Sequence, residues 1–420
     1  MSSAAREKDH TMPFEIRPIT PDELQEFMLT EGSAFGHRPS EQDIVARRPT
    51  FEFDRSLAAF DGDRIVGTAG ALSLELTLPG NGAIPAAGVS WVSVLPTHRR
   101  RGILTSLMRR QLADVRERGE PLAILTASES VIYGRFGYGL ATSTMRLSID
   151  KLFTAFARPW AIAGQVRQVD HAAALELLPP LYDSIRRTQP GMVSRSAAFW
   201  QLMLADPDKP LNGADARYYV VYQTPEGQVD GAAHYRARHD WGTGLSQHTL
   251  IVREALAATT EACAALWSYL FGIDLIATVE LWGRPLDEPL RWMLADPRRL
   301  RVTNYTDDLW LRLLDIPAAL AARRYATAGR IVFAVADAFC PENSGCYLLE
   351  GDLDGASCRR TDDEPDLALG VATLGAAYLG GVRFATLARA GRVEERKAGA
   401  LARADALFAT DPLPYSGTPF

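Results

Sequence analysis

The chain has 420 residues, 47% of them apolar and 23% charged, with a formal net charge of −6. At roughly 150 residues per domain this predicts two to four domains, with ample material for a large core. No apolar segment reaches membrane-spanning length, so no transmembrane helix and no membrane partner are expected. Four cysteines without a Cys-x-x-Cys pair fit a reduced, cytoplasmic setting. Seven histidines are scattered, and the spacing of His234 and His239 puts them on opposite sides of a strand, so no metal is predicted. The run Met1–Met12 is polar and lacks a secretory apolar core; Met12 offers an alternative start directly ahead of the first strand.

In chain order, Phe14–Pro18 reads as a strand. Thr20-Pro-Asp-Glu23 is a capping box with Pro21 at the first helical position, opening a helix to about Leu29. Ser40-Glu-Gln-Asp43 marks a second, short helix. Ser56–Phe60 and Ile65–Leu78 form a hairpin across Asp61-Gly-Asp. Val89–Leu95 is a central strand, Ile103–Val115 a helix, Leu122–Ala127 a strand, with a short helix near Ile132 and a last strand at about Ala141–Ile149. After a lapse around Asp150–Gln165, helices follow at Ala172–Arg187 and Ala197–Leu204. A hairpin follows at Tyr218–Gln223 and Gly231–His239, then a strand at His248–Arg253 and a long helix at Leu256–Phe271. This looks like a second copy of the first layout, but Ile251-Val-Arg-Glu-Ala-Leu256 has no basic, glycine-containing turn. From Thr306 a third unit begins, with a strand at Leu309–Leu314, a helix capped by Asp315 and a strand at Ile331–Ala338. Helices near Phe384–Ala390 and Gly399–Ala409 follow; Leu367–Leu379 reads as core. The last ten residues, Asp411–Phe420, hold three prolines and no helical pattern. Extended, such a tail spans about 30 Å, and it ends in an aromatic residue.

One stretch stands out: Val92-Ser-Val-Leu-Pro-Thr-His-Arg-Arg-Arg-Gly-Ile-Leu-Thr-Ser-Leu107. An apolar strand leads into a turn carrying Arg99, Arg100, Arg101 and Gly102, then into an amphipathic helix. Ile103, Leu104, Leu107, Met108, Leu112 and Val115 recur at helical spacing on one face, and Gly119 is placed to end the helix. Such a turn gathers free backbone N–H groups, the positive end of a helix dipole and guanidinium groups, which together suit a pyrophosphate. It has neither the P-loop nor the dinucleotide-fold glycine spacing. The acidic balance of the chain and the lack of aromatic interleaving argue against a nucleic-acid partner.

Arg99-x-x-Gly102 resembles the Arg/Gln-x-x-Gly-x-Gly/Ala turn with which GCN5-related N-acetyltransferases hold coenzyme A, with Leu104 at the sixth position in place of Gly or Ala. With Ala127-Ser-Glu-Ser-Val-Ile-Tyr-Gly-Arg-Phe-Gly-Tyr-Gly139, the Asp315-Ile-Pro-Ala-Ala-Leu320 helix start and the terminal Phe420, the whole chain resembles the Eis (enhanced intracellular survival) family of bacterial N-acetyltransferases. The resemblance implies an α/β (α+β) chain of three parts. These are a catalytic GCN5-related N-acetyltransferase domain over residues 1–150, a degenerate acetyltransferase-like domain over 151–305, and a sterol carrier protein-like domain over 306–420. It further implies acetyl-CoA as co-substrate, a small-molecule amine as acceptor, and a homohexamer built as a dimer of trimers. Residue by residue, Val92, Ser93 and Val94 would meet the pantetheine arm. Arg99, Arg100, Arg101, Gly102, Ile103, Leu104 and Thr105 would hold the diphosphate, and Ser128 and Glu129 would contact the cofactor. Tyr133 would be the general acid, and the carboxylate of Phe420 the general base.

The chemistry asks for both groups, because an attacking amine must lose a proton and the departing thiolate must gain one. The residues alone do not choose between Tyr133 and Tyr138 as the acid; the resemblance selects Tyr133. A terminal carboxylate is a weak base in water and becomes a stronger one on burial. Aminoglycosides are acceptors of the family and call for carboxylates at the pocket mouth. Here Pro419 precedes the terminal Phe, so the candidate acids are Glu31, Glu41 and Asp43 of the early helices. Acetylation of lysine side chains, or carriage of an apolar ligand by the third domain, are the other readings.

Overall fold

A computed structural model describes residues 14–205, 216–242 and 244–420. The Met1–Met12 segment and its alternative start lie outside the described residues. The chain divides into two compact units: the residues up to Ser73 with Ala87–Gly119, and Leu74–Ala86 with Glu120–Phe420.

In the first unit, β1 (Glu15–Pro18) pairs antiparallel with β2 (Leu57–Asp61), and β2 with β3 (Arg64–Thr77). Strand β4 (Ala83–Val94) is the next neighbour of β3. The predicted capping box at Thr20 forms, and the short helix expected from Ser40 opens with a capping box of its own. Thr20 N–H donates to Glu23 at 2.8 Å ahead of α1 (Leu24–Ala34), and the Ser40–Asp43 pair opens α2 (Glu41–Arg47). Helix α1 runs past the expected Leu29 because nothing before Gly36, at φ +77°, breaks it, and because buried Thr30 donates its hydroxyl to Ile65 O at 3.2 Å. Leu24, Phe27, Met28, Phe51, Phe60 and Ile65 fill the core between this helix and the sheet. Helix α3 (Ile103–Glu117) buries Ile103, Leu107, Met108, Gln111, Leu112 and Val115; Leu104 is half-buried. Buried Gln111, a polar residue on the apolar face, donates to Gly70 O at 2.8 Å.

The second unit contains β5 (Leu122–Thr126), α4 (Ser130–Tyr133) and β6 (Gly139–Leu140). Strand β7 (Ser143–Asp150), read in sequence as closing the first layout, belongs to the next sheet. That sheet adds β8 (Gln165–Val169), α5 (His171–Arg186), α6 (Ala197–Leu204), β9 (Tyr218–Gln223), β10 (Val229–Arg238), β11 (His248–Ala257), α7 (Thr260–Gly272), β12 (Ile276–Arg284), α8 (Leu290–Met293) and β13 (Arg301–Asp307). Its order is β13-β7-β12-β11-β10-β9-β8, with β11 and β12 parallel. The helix expected from Leu256 starts only at Thr260. Leu256 and Ala257 stay extended because they pair with Ala232 and Gly231 of β10.

Strand β14 (Leu309–Leu313) pairs antiparallel with β5 and with β6. It is followed by α9 (Ile316–Ala322), which is capped as expected by Asp315, whose carboxylate accepts the Ala318 N–H at 2.9 Å. A third, five-stranded sheet comprises β15 (Gly329–Ala336), β16 (Gly345–Gly351), β17 (Ala356–Arg360), β18 (Leu367–Gly370) and β19 (Val393–Glu395), in the order β17-β16-β15-β18-β19. Helices α10 (Val371–Ala377), α11 (Phe384–Arg389) and α12 (Ala400–Phe408) accompany it. Its interior is filled by Phe333 stacked on Phe384 at 5.6 Å, with Phe408 edge-on to both. Among the described residues no helix is long and apolar enough to cross a membrane.

Candidate active site

The turn after β4 forms as the sequence predicts, and its backbone is unusual. Arg100 has φ +64° and Gly102 φ +82°; both lie in the left-handed region, which a side chain at Gly102 would penalise. Gly102 is the N-cap of α3 and has no side chain to close it, and its carbonyl accepts the Ser106 N–H at 3.1 Å. The amides of Gly102, Ile103, Leu104 and Thr105, the first four of the helix, are left without an intrahelical acceptor. The three arginines divide their work. Arg99 donates to Val94 O (3.4 Å) and Ala34 O (3.3 Å), and Arg101 lies over the Phe14 ring at 4.6 Å. Arg100 is exposed, with no protein partner among the described residues. His98 pins the turn, with Nε2 at 3.1 Å from Asp61 and Nδ1 at 2.8 Å from Thr97.

Upstream, Trp91 is held at φ +52°, a strained value for a bulky residue, by stacking on Phe51 at 4.2 Å. Its carbonyl accepts the Thr68 hydroxyl at 2.7 Å, and Thr68 also meets the buried Ser93 hydroxyl at 2.7 Å. The distortion falls directly before Val92, Ser93 and Val94. Of the acids expected on the early helices, Asp43 is engaged in capping α2: Ser40 N–H and Oγ donate to it at 2.9 and 2.7 Å. Glu41 is exposed. Glu31 is half-buried, and burial pushes its carboxyl up, against the opposing pull of His37 and Arg47.

In the second unit, Ser128, Glu129, Tyr133 and Phe420 gather at the C-terminal end of β5. Ser128 and Glu129 are exposed on the loop into α4. Tyr133 is 8% exposed, and burial, then the charge of Glu129, push its phenol up to about 12. Tyr138 packs edge-on against it at 6.0 Å, but is wholly buried and its hydroxyl has no hydrogen-bond partner among the described residues. Phe420 packs against the core shared by β5, β14 and the third sheet, and its terminal carbonyl oxygen accepts a 3.4 Å hydrogen bond from the Thr126 hydroxyl.

The tail that brings Phe420 there is anchored along its length. Gln189 donates to Leu413 O at 2.7 Å, and Leu413 N–H donates to Asp287 at 3.0 Å. Tyr415 N–H donates to Pro190 O at 2.8 Å, and its hydroxyl donates to Gly283 O. Gly417, at φ +65°, carries the chain over the Tyr415 ring, where a Cβ would collide. Thr126 and the residues that grip the tail have no motif in the sequence; only the closing aromatic hinted at an ordered end.

A strand leading through a glycine-capped basic turn into an amphipathic helix, repeated in degenerate form, defines an acetyltransferase of the GCN5-related class. The acetyltransferase (GNAT) domain profiles match residues 15–141 and 191–313, and a sterol carrier protein domain profile matches 316–417. An uncharacterised N-acetyltransferase of Streptomyces coelicolor is 42% identical over 413 residues, covering 96% of this chain and 99% of that one. N-acetyltransferase Eis of Mycobacterium tuberculosis is 34% identical over 406 residues, covering 93% and 96%. The crystal structure of Eis1 from Mycobacterium abscessus superposes with a TM-score of 0.85 at 37% identity, over 97% of this chain and 100% of that one. A GCN5-related N-acetyltransferase from Anabaena variabilis shares the fold at 18% identity, with a TM-score of 0.84. The chain belongs to the Eis family of N-acetyltransferases: two acetyltransferase domains followed by a sterol carrier protein-like domain.

Proposed function

We propose that this enzyme transfers the acetyl group of acetyl-CoA directly to primary amines of small polyamine acceptors, aminoglycosides among them. The observation that carries the donor assignment is the turn Arg99–Gly102. Left-handed Gly102 caps α3 without a side chain and so leaves the amides of Gly102, Ile103, Leu104 and Thr105 open at a helix N-terminus, and Arg100 of the same turn is exposed. A diphosphate is the group that such open, aligned donors accept. Acetyl-CoA supplies the activated acyl group; the protein supplies two proton carriers. Tyr133 has its phenol held near 12, so it keeps its proton through the neutral range and serves as donor to the departing thiolate. The Phe420 carboxylate, set beside the Thr126 hydroxyl, takes the proton of the attacking amine. Tyr138 is sealed in and packs behind Tyr133. The aromatic filling of the third sheet favours catalysis over carriage of an apolar ligand. Of the acids of the early helices, Asp43 is taken up by capping α2, which leaves Glu31 and Glu41 for a cationic acceptor. The homohexamer remains part of the same proposal.

The test is thiol release from acetyl-CoA by protein with a native C-terminus, across aminoglycosides, simple diamines and a lysine peptide, with mass spectrometry of the products. More than one acetyl per aminoglycoside is the expected result. Turnover confined to diamines or peptide would overturn the antibiotic acceptor, and silence with every amine would overturn the enzyme's proposed chemistry.

A further inference from the structure

We infer that Thr418, gripped by Arg195, and the Ser416–Gly417 turn, gripped by Asp308, position the terminal carboxylate for catalysis. The inference rests on reading Phe420 as the base, and it assigns to the central acetyltransferase-like domain a task in the reaction other than binding coenzyme A.

The grip is polar and buried. The Arg195 side chain is 1% exposed, and its Nε and Nη2 donate to the Thr418 hydroxyl oxygen at 3.0 and 2.9 Å. The same guanidinium is held from behind by Glu254, at 2.7 and 3.3 Å, and lies over the rings of Tyr182 (3.8 Å) and Trp200 (4.8 Å). The Tyr182 hydroxyl meets Thr418 Oγ1 at 3.0 Å while donating to Val193 O at 2.7 Å. Directly before Thr418 in the tail, the half-buried Asp308 carboxylate accepts the backbone N–H groups of Ser416 and Gly417, and it accepts the Thr142 hydroxyl at 3.1 Å.

A tail that only covers apolar surface needs no such arrangement. Burying a guanidinium is costly, and Glu254 offsets that cost whether or not the tail is present. The two further bonds to Thr418 are directional, and they fix a point two residues from the chain end. From there to the carboxylate only Pro419 and Phe420 intervene, a reach of about 7 Å. Proline holds φ near −65°, so the lever is short and stiff. Pro419, which supplies no acidic lining, instead limits the swing of the base. A displacement of about 1 Å at a reacting group can cost on the order of 10²-fold in rate.

Thr418→Val removes the acceptor while leaving the Arg195–Glu254 pair intact, Thr418→Ser restores it, and Asp308→Asn weakens the second grip. Each is compared for kcat, for KM of acetyl-CoA and for melting temperature, alone and combined with a two-residue extension after Phe420. Thr418→Val and Asp308→Asn are expected to lower kcat at least tenfold with KM for acetyl-CoA within twofold. Thr418→Ser should recover most of the rate, and neither loss should add to that of the extension. Unchanged kcat in Thr418→Val, while the extension alone abolishes turnover, would overturn the positioning role and leave the base standing. Native turnover in the extended chain would overturn the base, and the inference with it. Should Asp308→Asn fail to fold, the Val and Ser variants at 418 still decide.

Discussion

Two strand-to-helix corners of this molecule have the same local plan and opposite chemistry. After β4, the helix N-cap is Gly102, which has no side chain to offer, and the first-turn amides stay open. After β11, the N-cap is Thr259, whose hydroxyl accepts the Ala262 N–H at 3.1 Å. A capping hydroxyl occupies the place where an anion would sit. It contributes about 1 kcal/mol to the helix and closes the site. The two corners differ in this physical sense: the central domain's helix uses its own hydroxyl on one first-turn amide, whereas α3 has no side chain at its cap.

This contrast predicts that changes at the first domain's corner and at the end of β5 cost turnover, while changes at the central corner cost only stability. The largest effect is expected from Tyr133→Phe, which removes the proton donor and keeps the ring. Turnover should fall by about 10²–10⁴, with the melting temperature nearly unchanged; steady-state rates and a thermal scan check both. Next is Gly102→Val, which forces a β-branched residue to φ +82° and sets a side chain in the cradle. The strain of about 1–3 kcal/mol lowers stability or is relieved by shifting the turn, and the shift or the new side chain is expected to raise the dissociation constant for acetyl-CoA by roughly tenfold or more, readable by calorimetry. The smallest is Thr259→Ala, expected to lower stability by about 1 kcal/mol in denaturant titrations with KM for acetyl-CoA unchanged. A raised KM there would make the central corner a ligand site and dissolve the contrast.

The features legible in the sequence were the local ones. The capping box at Thr20, the short-helix start at Ser40, the basic turn and the periodicity of α3 each depend on residues within a few positions of one another. What escaped is non-local. Nothing in Leu309–Leu313 announces that it will pair with Leu122–Thr126, and Ser143–Asp150 carries no mark of joining the sheet of β12 and β13. Leu256-Ala-Ala-Thr-Thr-Glu261 has neither Gly nor Pro to separate strand from helix, so the Thr259 cap was hidden in an apolar run that suits both. At the candidate site, Tyr133 and Phe420 were legible through the family resemblance. Arg195, Asp308 and Thr126 were not, because a buried arginine or aspartate acquires its meaning only from the partner the fold brings to it.

The anchored tail also has a consequence for how the enzyme is made. The slot that receives residues 416–418 is built from Tyr182, Arg195 and Asp308, all synthesised well before the segment they grip. The segment that fills the slot is therefore the last part of the chain to reach its place, and the slot stands ready for it.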